Sequence, residues 1–198
     1  MKPDRPSDEA FYAAALELDC DEAAIRAVAR VEAGLYGAFL DSGEPVILYE
    51  PHVFHDLTSG RWVGAVVTIN GRHYNLSLER RDPTQYGPVS AQHRKLQAAS
   101  QLNRSAALKS CSWGLFQIMG KNYELAGFYD LQPFVNAMYE SADKHLAAFV
   151  AFIRNTGLRN ALREHDWAMF ARRYNGSDYR AHRYDKRIDE AYKELANV

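Results

Sequence analysis

Asp21–Gly34, DEAAIRAVARVEAG, reads as an amphipathic helix whose apolar stripe ends in a carboxyl group. Ile25, Val28 and Ala29 recur at i, i+3 and i+4, and the next place on that face, at i+7, is Glu32. A core-facing stripe should end in Leu or Val. An ionised carboxylate taken out of water is costly unless it is paired or keeps its proton, so the position favours a raised pKa, which suits a general acid. The plain alternative is a last-turn Glu that snorkels to solvent where the helix breaks at Gly34.

Outward from this helix the chain is helical at both ends, with a partly extended insert between. Upstream, Ser7 before Asp8 and Glu9 opens a helix with Phe11, Ala14, Ala15 and Leu18 on one face. Asp19 and Glu22 have the spacing of a capping box for the helix that follows. Downstream, Pro45–Glu50 (PVILYE), Trp62–Ile69 (WVGAVVTI) and Tyr74–Leu78 (YNLSL) are β-branched and aromatic runs. Turn signals at Ser42-Gly43, Ser59-Gly60 and Asn70-Gly71 separate them, and the last predicts a hairpin. Pro51–Leu57 reads as a short helix started by proline.

Helical spacing returns over Ser90–Ser110. Gln132–Thr156 predicts one long, very apolar helix, with Val135, Met138, Tyr139, Ala142, Leu146, Phe149 and Ile153 as a stripe. Asp166 caps a helix carrying Trp167, Phe170, Ala171 and Tyr174 that stops at Asn175-Gly176, and a last helix runs through Ile188, Ala191, Tyr192 and Leu195. The expected fold class is mainly α (α+β), a helical domain with a small antiparallel β element.

The 198 residues are 47% hydrophobic and 25% charged, the composition of one ordinary globular domain spanning 1–198. A net charge of −1 gives no general attraction to nucleic acid or anionic membrane. Arginines and lysines do cluster over 72–81 and 172–187, where a local basic face could meet an anionic polymer or simply be solvated. Cys20 and Cys111 form no disulfide framework or metal-ligand spacing. The first residues lack an apolar signal-like core, and no stretch is long enough to span a membrane. The expectation is a monomer made in the cytoplasm without an export signal, needing no cofactor.

Three segments carry chemistry. Val31–Gly34 (VEAG) brings a carboxyl group beside a glycine. Ser112–Gly120 (SWGLFQIMG) sets the amide of Gln117 among large apolar groups, and could equally be a loop plugged into the core. Ala171–Ser177 (ARRYNGS) is a glycine-closed helix end with Tyr174 and Asn175.

In this order the three segments resemble the signature of the lysozyme-like superfamily of goose-type lysozymes and lytic transglycosylases. Ala33-Gly34 stands for the usual Ser-x-Gly after the glutamate, and Phe116 for the usual Met. Glu32 followed by Phe39–Thr58 (FLDSGEPVILYEPHVFHDLT) resembles more particularly the N-acetylmuramidase domain of phage endolysins, over nearly the whole chain.

The resemblance implies a lysozyme-like fold and cleavage of the β-1,4 bond between N-acetylmuramic acid and N-acetylglucosamine in peptidoglycan glycan strands. It implies a site of action at the bacterial wall, while the sequence itself shows no complete metal-ligand set and no evident separate wall-binding module, so the chain either relies on its own groove or is part of a longer endolysin. Glu32 is then the proton donor. Glu50, closing the Val46–Tyr49 strand, is the second carboxylate, in competition with Asp41, Glu44 and Asp56. Gln117, Tyr174, Asn175, Trp113, Phe116 and Tyr36 would bind sugar through aromatic faces and amides. Alternatives are a lytic transglycosylase, a non-catalytic wall-binding module of the same fold, a cysteine peptidase using Cys20 or Cys111, and a zinc site at His52, His55 and Asp56.

Overall fold

The computed structural model describes residues 3–34 and 36–197. α1 (Asp8–Leu18) and α2 (Glu22–Ala33) open the chain. The Ser7 hydroxyl caps α1 by accepting from the Ala10 amide at 3.2 Å. α2 is capped by Asp21, whose carboxylate accepts from Ala24 at 2.8 Å, and not by Asp19. Asp19 instead ends α1 in the left-handed region, φ 52°, so the expected capping box does not form and a simple aspartate cap stands two residues later.

β1 (Ile47–Tyr49) leads into α3 (Pro51–Leu57), started by its proline as expected, and then the hairpin β2 (Val66–Ile69) and β3 (Arg72–Asn75). Asn70 and Gly71 make its turn with φ of 51° and 77°, the paired left-handed geometry that matches strand twist. Both strands are shorter than the β-rich runs suggested, because residues 61–64 form turns before pairing begins.

α4 (Gln92–Lys109) follows, broken at Asn103 (φ −157°, ψ 99°), where the asparagine side chain recaps the helix on Ala106 at 3.0 Å. β4 (Cys111–Trp113) and β5 (Ile118–Met119) come next, so SWGLFQIMG is a hairpin and not a plain loop. β4 lies between β1 and β5 in one antiparallel sheet, with Ile47 opposite Trp113 and Tyr49 opposite Cys111.

The single helix expected over 132–156 is two, α5 (Leu131–Glu140) and α6 (Ala142–Asn155). Ser141 is fully extended at the junction, and its hydroxyl accepts from the Lys144 amide at 3.2 Å. The apolar spacing from Met138 to Ala142 crosses the break by coincidence, while serine prefers the cap. α7 (Arg159–Arg163), α8 (Trp167–Tyr174) and α9 (Tyr184–Ala196) complete the chain, α9 lying along α2.

α6 turns one face to the core and leaves the other to solvent. Phe149 at its middle is fully buried and stacks on Phe116 at 4.3 Å between ring centroids, while Trp113 meets Phe134 edge-on at 6.5 Å. The sheet and the end of α2 are thus fixed against one shared apolar core.

Candidate active site

Ile25 and Val28 are fully buried and Ala29 nearly so, which holds the α2 stripe against the core and brings Glu32 to the edge of it. Gly34 then takes a positive φ of 54° and the chain leaves the helix. Glu32 keeps partial access to solvent, yet burial of its carboxyl pushes its pKa up to about 7. Two weaker influences oppose burial, a hydrogen bond from Asn175 and the charge of Arg187.

The Asn175 amide nitrogen donates to Glu32 Oε1 at 2.7 Å from the C-terminal end of α8. Its Oδ1 is buried and has no hydrogen-bond partner among the described residues. One amide can therefore serve both states of the acid, its NH₂ donating to the carboxylate and its oxygen accepting from the carboxyl O–H once Glu32 is protonated and the amide turns over. Tyr174, next along α8, lies within electrostatic reach of Glu32, and burial raises its phenol well above the ordinary value.

Glu50 stands at the residue before α3, just after β1, and its side chain makes no capping bond to that helix. Its Oε2 accepts from the Tyr86 hydroxyl at 2.5 Å and lies 3.4 Å from His52 Nδ1. Arg81 Nε donates to the Tyr86 oxygen at 2.8 Å, and its guanidinium is 3.7 Å from Asp178, just beyond α8. Tyr184 responds to the charges of both Glu32 and Arg81. Hydrogen bonds thus tie Asn175 to Glu32 on one side and Arg81, Tyr86 and Glu50 together on the other.

The residues expected to bind sugar divide. Trp113 and Phe116, expected to touch sugar, are each 1% exposed and present no open face to a ligand, because both are packed into the core. The Trp113 indole N–H is already spent on the Leu108 carbonyl at 3.1 Å. The Gln117 amide is turned inward: its oxygen accepts from the Ser112 hydroxyl at 2.7 Å and its nitrogen donates to the Gly114 carbonyl at 2.8 Å. These bonds hold Gln117 in the left-handed region at φ 47°, which a non-glycine residue rarely adopts without such support. The Tyr174 hydroxyl donates to the Phe116 carbonyl at 2.7 Å, tying α8 to the same hairpin. Asn175 meets the acid itself, and Tyr36, 54% exposed just beyond α2, presents an open aromatic face.

Arg81, Tyr86, Tyr184 and Arg187 were not singled out from the sequence. The two arginines fall within basic clusters whose spacing leaves open a solvated face or one that meets an anionic polymer, and Tyr86 precedes a Gly-Pro turn with no spacing that ties it to Glu50. The competing acids have other surroundings: Asp41 is exposed, Glu44 accepts from Ser42 at 2.9 Å, and Asp56 lies 3.5 Å from His55. His52 and His55 thus face different carboxylates, Glu50 and Asp56. Burial pushes the Cys20 thiol up to about 11 and the Cys111 thiol higher still, the reverse of what a nucleophilic cysteine needs.

A mainly helical domain that presents a desolvated carboxyl group from a helix end, beside a small antiparallel sheet, has the architecture of a lysozyme-like enzyme. The chain belongs to the N-acetylmuramidase family, whose model matches residues 21–196, and so stands among the peptidoglycan-degrading enzymes. Its fold is similar to the crystal structure of the Burkholderia AP3 phage endolysin, with a TM-score of 0.81 and 33% identity over 100% of this chain and 74% of that one. No curated protein matches the chain significantly.

Proposed function

We propose that the protein hydrolyses the β-1,4 bond between N-acetylmuramic acid and N-acetylglucosamine, with Glu32 as general acid and Glu50 as the second carboxylate. The observation that carries this reading is the Glu32 carboxyl group, pushed up to about 7 by burial and held by Asn175. A carboxyl group with that pKa is substantially protonated near neutrality, so it can give its proton to the leaving glycosidic oxygen as the C1–O bond breaks. Glu50, which accepts from Tyr86 and lies close to His52, is the group that assists water in its attack on C1. Tyr36 supplies an aromatic face for sugar, while Trp113, Phe116, Gln117 and Tyr174 hold the groove from below. The substrate is the glycan strand of the bacterial wall, and the protein works on it as a monomer without metal or cofactor.

Mass spectrometry of muropeptides released from purified sacculi tests the reaction. Hydrolysis leaves reducing N-acetylmuramic acid ends, whereas 1,6-anhydro ends would assign a lytic transglycosylase. Binding without any release would assign a wall-binding module. Glu32→Gln keeps the shape but has no proton to donate, so release should fall below a few per cent of wild type; a higher residual rate removes Glu32 from the role.

A further inference from the structure

α4 carries two buried polar side chains one turn apart, at positions where its apolar face should hold Leu or Met. Lys95 is fully buried, and Gln92 is 1% exposed. Lys95 has no ion-pair partner among the described residues. Its Nζ donates to the carbonyls of Gln85 at 3.1 Å and Tyr86 at 2.9 Å, and lies 5.4 Å and 5.6 Å from the ring centroids of Tyr74 and Tyr49. Burial pulls the Lys95 ammonium down to about 8. An interior ammonium of this kind is costly, and hydrogen bonds and aromatic faces only partly offset it.

Gln92 addresses the same turn. Its Nε2 donates to the carbonyls of Tyr86 at 2.7 Å and Pro88 at 3.1 Å, and its Oε1 accepts from the Tyr49 amide at 3.1 Å, one residue before Glu50. Two buried side chains thus fix the backbone that bears Tyr86 and the backbone that bears Glu50 in one frame. Within that frame the Tyr86 hydroxyl reaches Glu50 Oε2 at 2.5 Å, with its own oxygen accepting from Arg81. Burial and the bond to Glu50 push the Tyr86 phenol up to about 12, so the hydroxyl stays a donor throughout the neutral range.

We propose that Tyr86, mounted on the turn clamped by Lys95 and Gln92 and oriented by Arg81, is the positioning residue that holds the Glu50 carboxylate in its working orientation. The Tyr86 hydroxyl occupies one carboxylate oxygen and leaves the other for water. Lys95 is buried on this account to hold a turn, with no direct part in the chemistry. The inference rests on the reading of Glu50 as the second carboxylate.

The test measures kcat and KM on soluble uncross-linked glycan strands for Tyr86→Phe, Glu50→Gln and the double variant. Tyr86→Phe should lose 10- to 100-fold in kcat, with KM within twofold of wild type and an unchanged thermal midpoint. In the Glu50→Gln background the same substitution should have no further effect, because the group it orients is already gone. A Tyr86→Phe enzyme within twofold of wild-type kcat, or full additivity in the double variant, overturns the proposal. A Glu50→Gln enzyme that retains wild-type kcat instead overturns the second-carboxylate reading beneath it. Should Tyr86→Phe fail to fold, Arg81→Met, at a half-exposed position, is the second probe. A several-fold loss of kcat at constant KM then supports the proposal, and wild-type kcat overturns it.

Discussion

The feature that makes Glu32 suitable as an acid also makes it a local weakness of the fold. Its pKa in the native protein is about 7 against 4.5 for a free side chain, so between those values the unfolded chain has lost a proton that the native state keeps. Stability is therefore unaffected by this group below pH 4.5, declines as pH rises from 4.5 to 7, and stays reduced above 7. At 1.36 kcal/mol per unit, the full penalty is on the order of 3 kcal/mol. Glu32→Gln removes the ionisation but keeps an oxygen for the Asn175 amide. The variant should be more stable than wild type by about 2–3 kcal/mol at pH 8 and nearly equal to it at pH 4, as read from denaturant unfolding at both values. An equal difference at the two pH values would show that ionisation is not the cause. Over the same range wild-type lysis should lose its rate as pH passes 7 and the donor deprotonates.

At the scale of elements, the β4–β5 hairpin locks the sheet to α4 through a glycine that has no need of unusual backbone angles. A Cβ at Gly120 would run into the carbonyl oxygen of Leu108, near the end of α4. Gly157, beyond α6, is the opposite case, with a positive φ of 69° and open space around the missing side chain. Gly120→Ala should cost about 3 kcal/mol, because backbone must move, and lower the melting temperature by roughly 10 °C. Gly157→Ala should cost only about 1–2 kcal/mol, the strain of a left-handed alanine. Calorimetric melts of the two variants decide the point, and the reverse ranking would mean that the hairpin can slide off the end of α4. Such close approach is invisible in a linear sequence. The glycines were legible as punctuation, and Asn70-Gly71 as a hairpin. The pairing that turns SWGLFQIMG into strands was not, since it depends on β1, more than sixty residues upstream. Ser141 shows the same limit: the apolar stripe ran through it unbroken, and only the cap geometry reveals two helices.

At the scale of the whole molecule, the sequence revealed one half of the site more readily than the other. Glu32 stood out because it violates a helix stripe, and Asn175 because it belongs to a helix end that resembles a known motif. The surroundings of Glu50, the proposed second half, are built by Tyr86, Arg81, Gln92 and Lys95, which share no periodicity, so only the folded chain brings them together. The family match begins at residue 21, but the fold it describes depends on what precedes it. α1 buries Phe11 and Leu18 against α2 and α6, and Ser7 N–H donates to Asp143 at 2.7 Å. Asp4 accepts from the amides of Ala38 at 2.7 Å and Phe39 at 3.1 Å, pinning the segment that leaves the Glu32 helix. Loss of residues 1–20 would expose the faces of α2 and α6 that Phe11 and Leu18 cover. At about 1.5–3 kcal/mol for each large side chain, that removes on the order of 5 kcal/mol, a large share of the 5–15 kcal/mol typical of a whole domain. A variant lacking residues 1–20 should therefore melt at least 10 °C lower than the full chain, with weakened near-UV circular dichroism and little lytic activity at 37 °C. If it unfolds cooperatively within about 3 °C of the full chain, α1 is an accessory and the muramidase fold is complete from Asp21 onward.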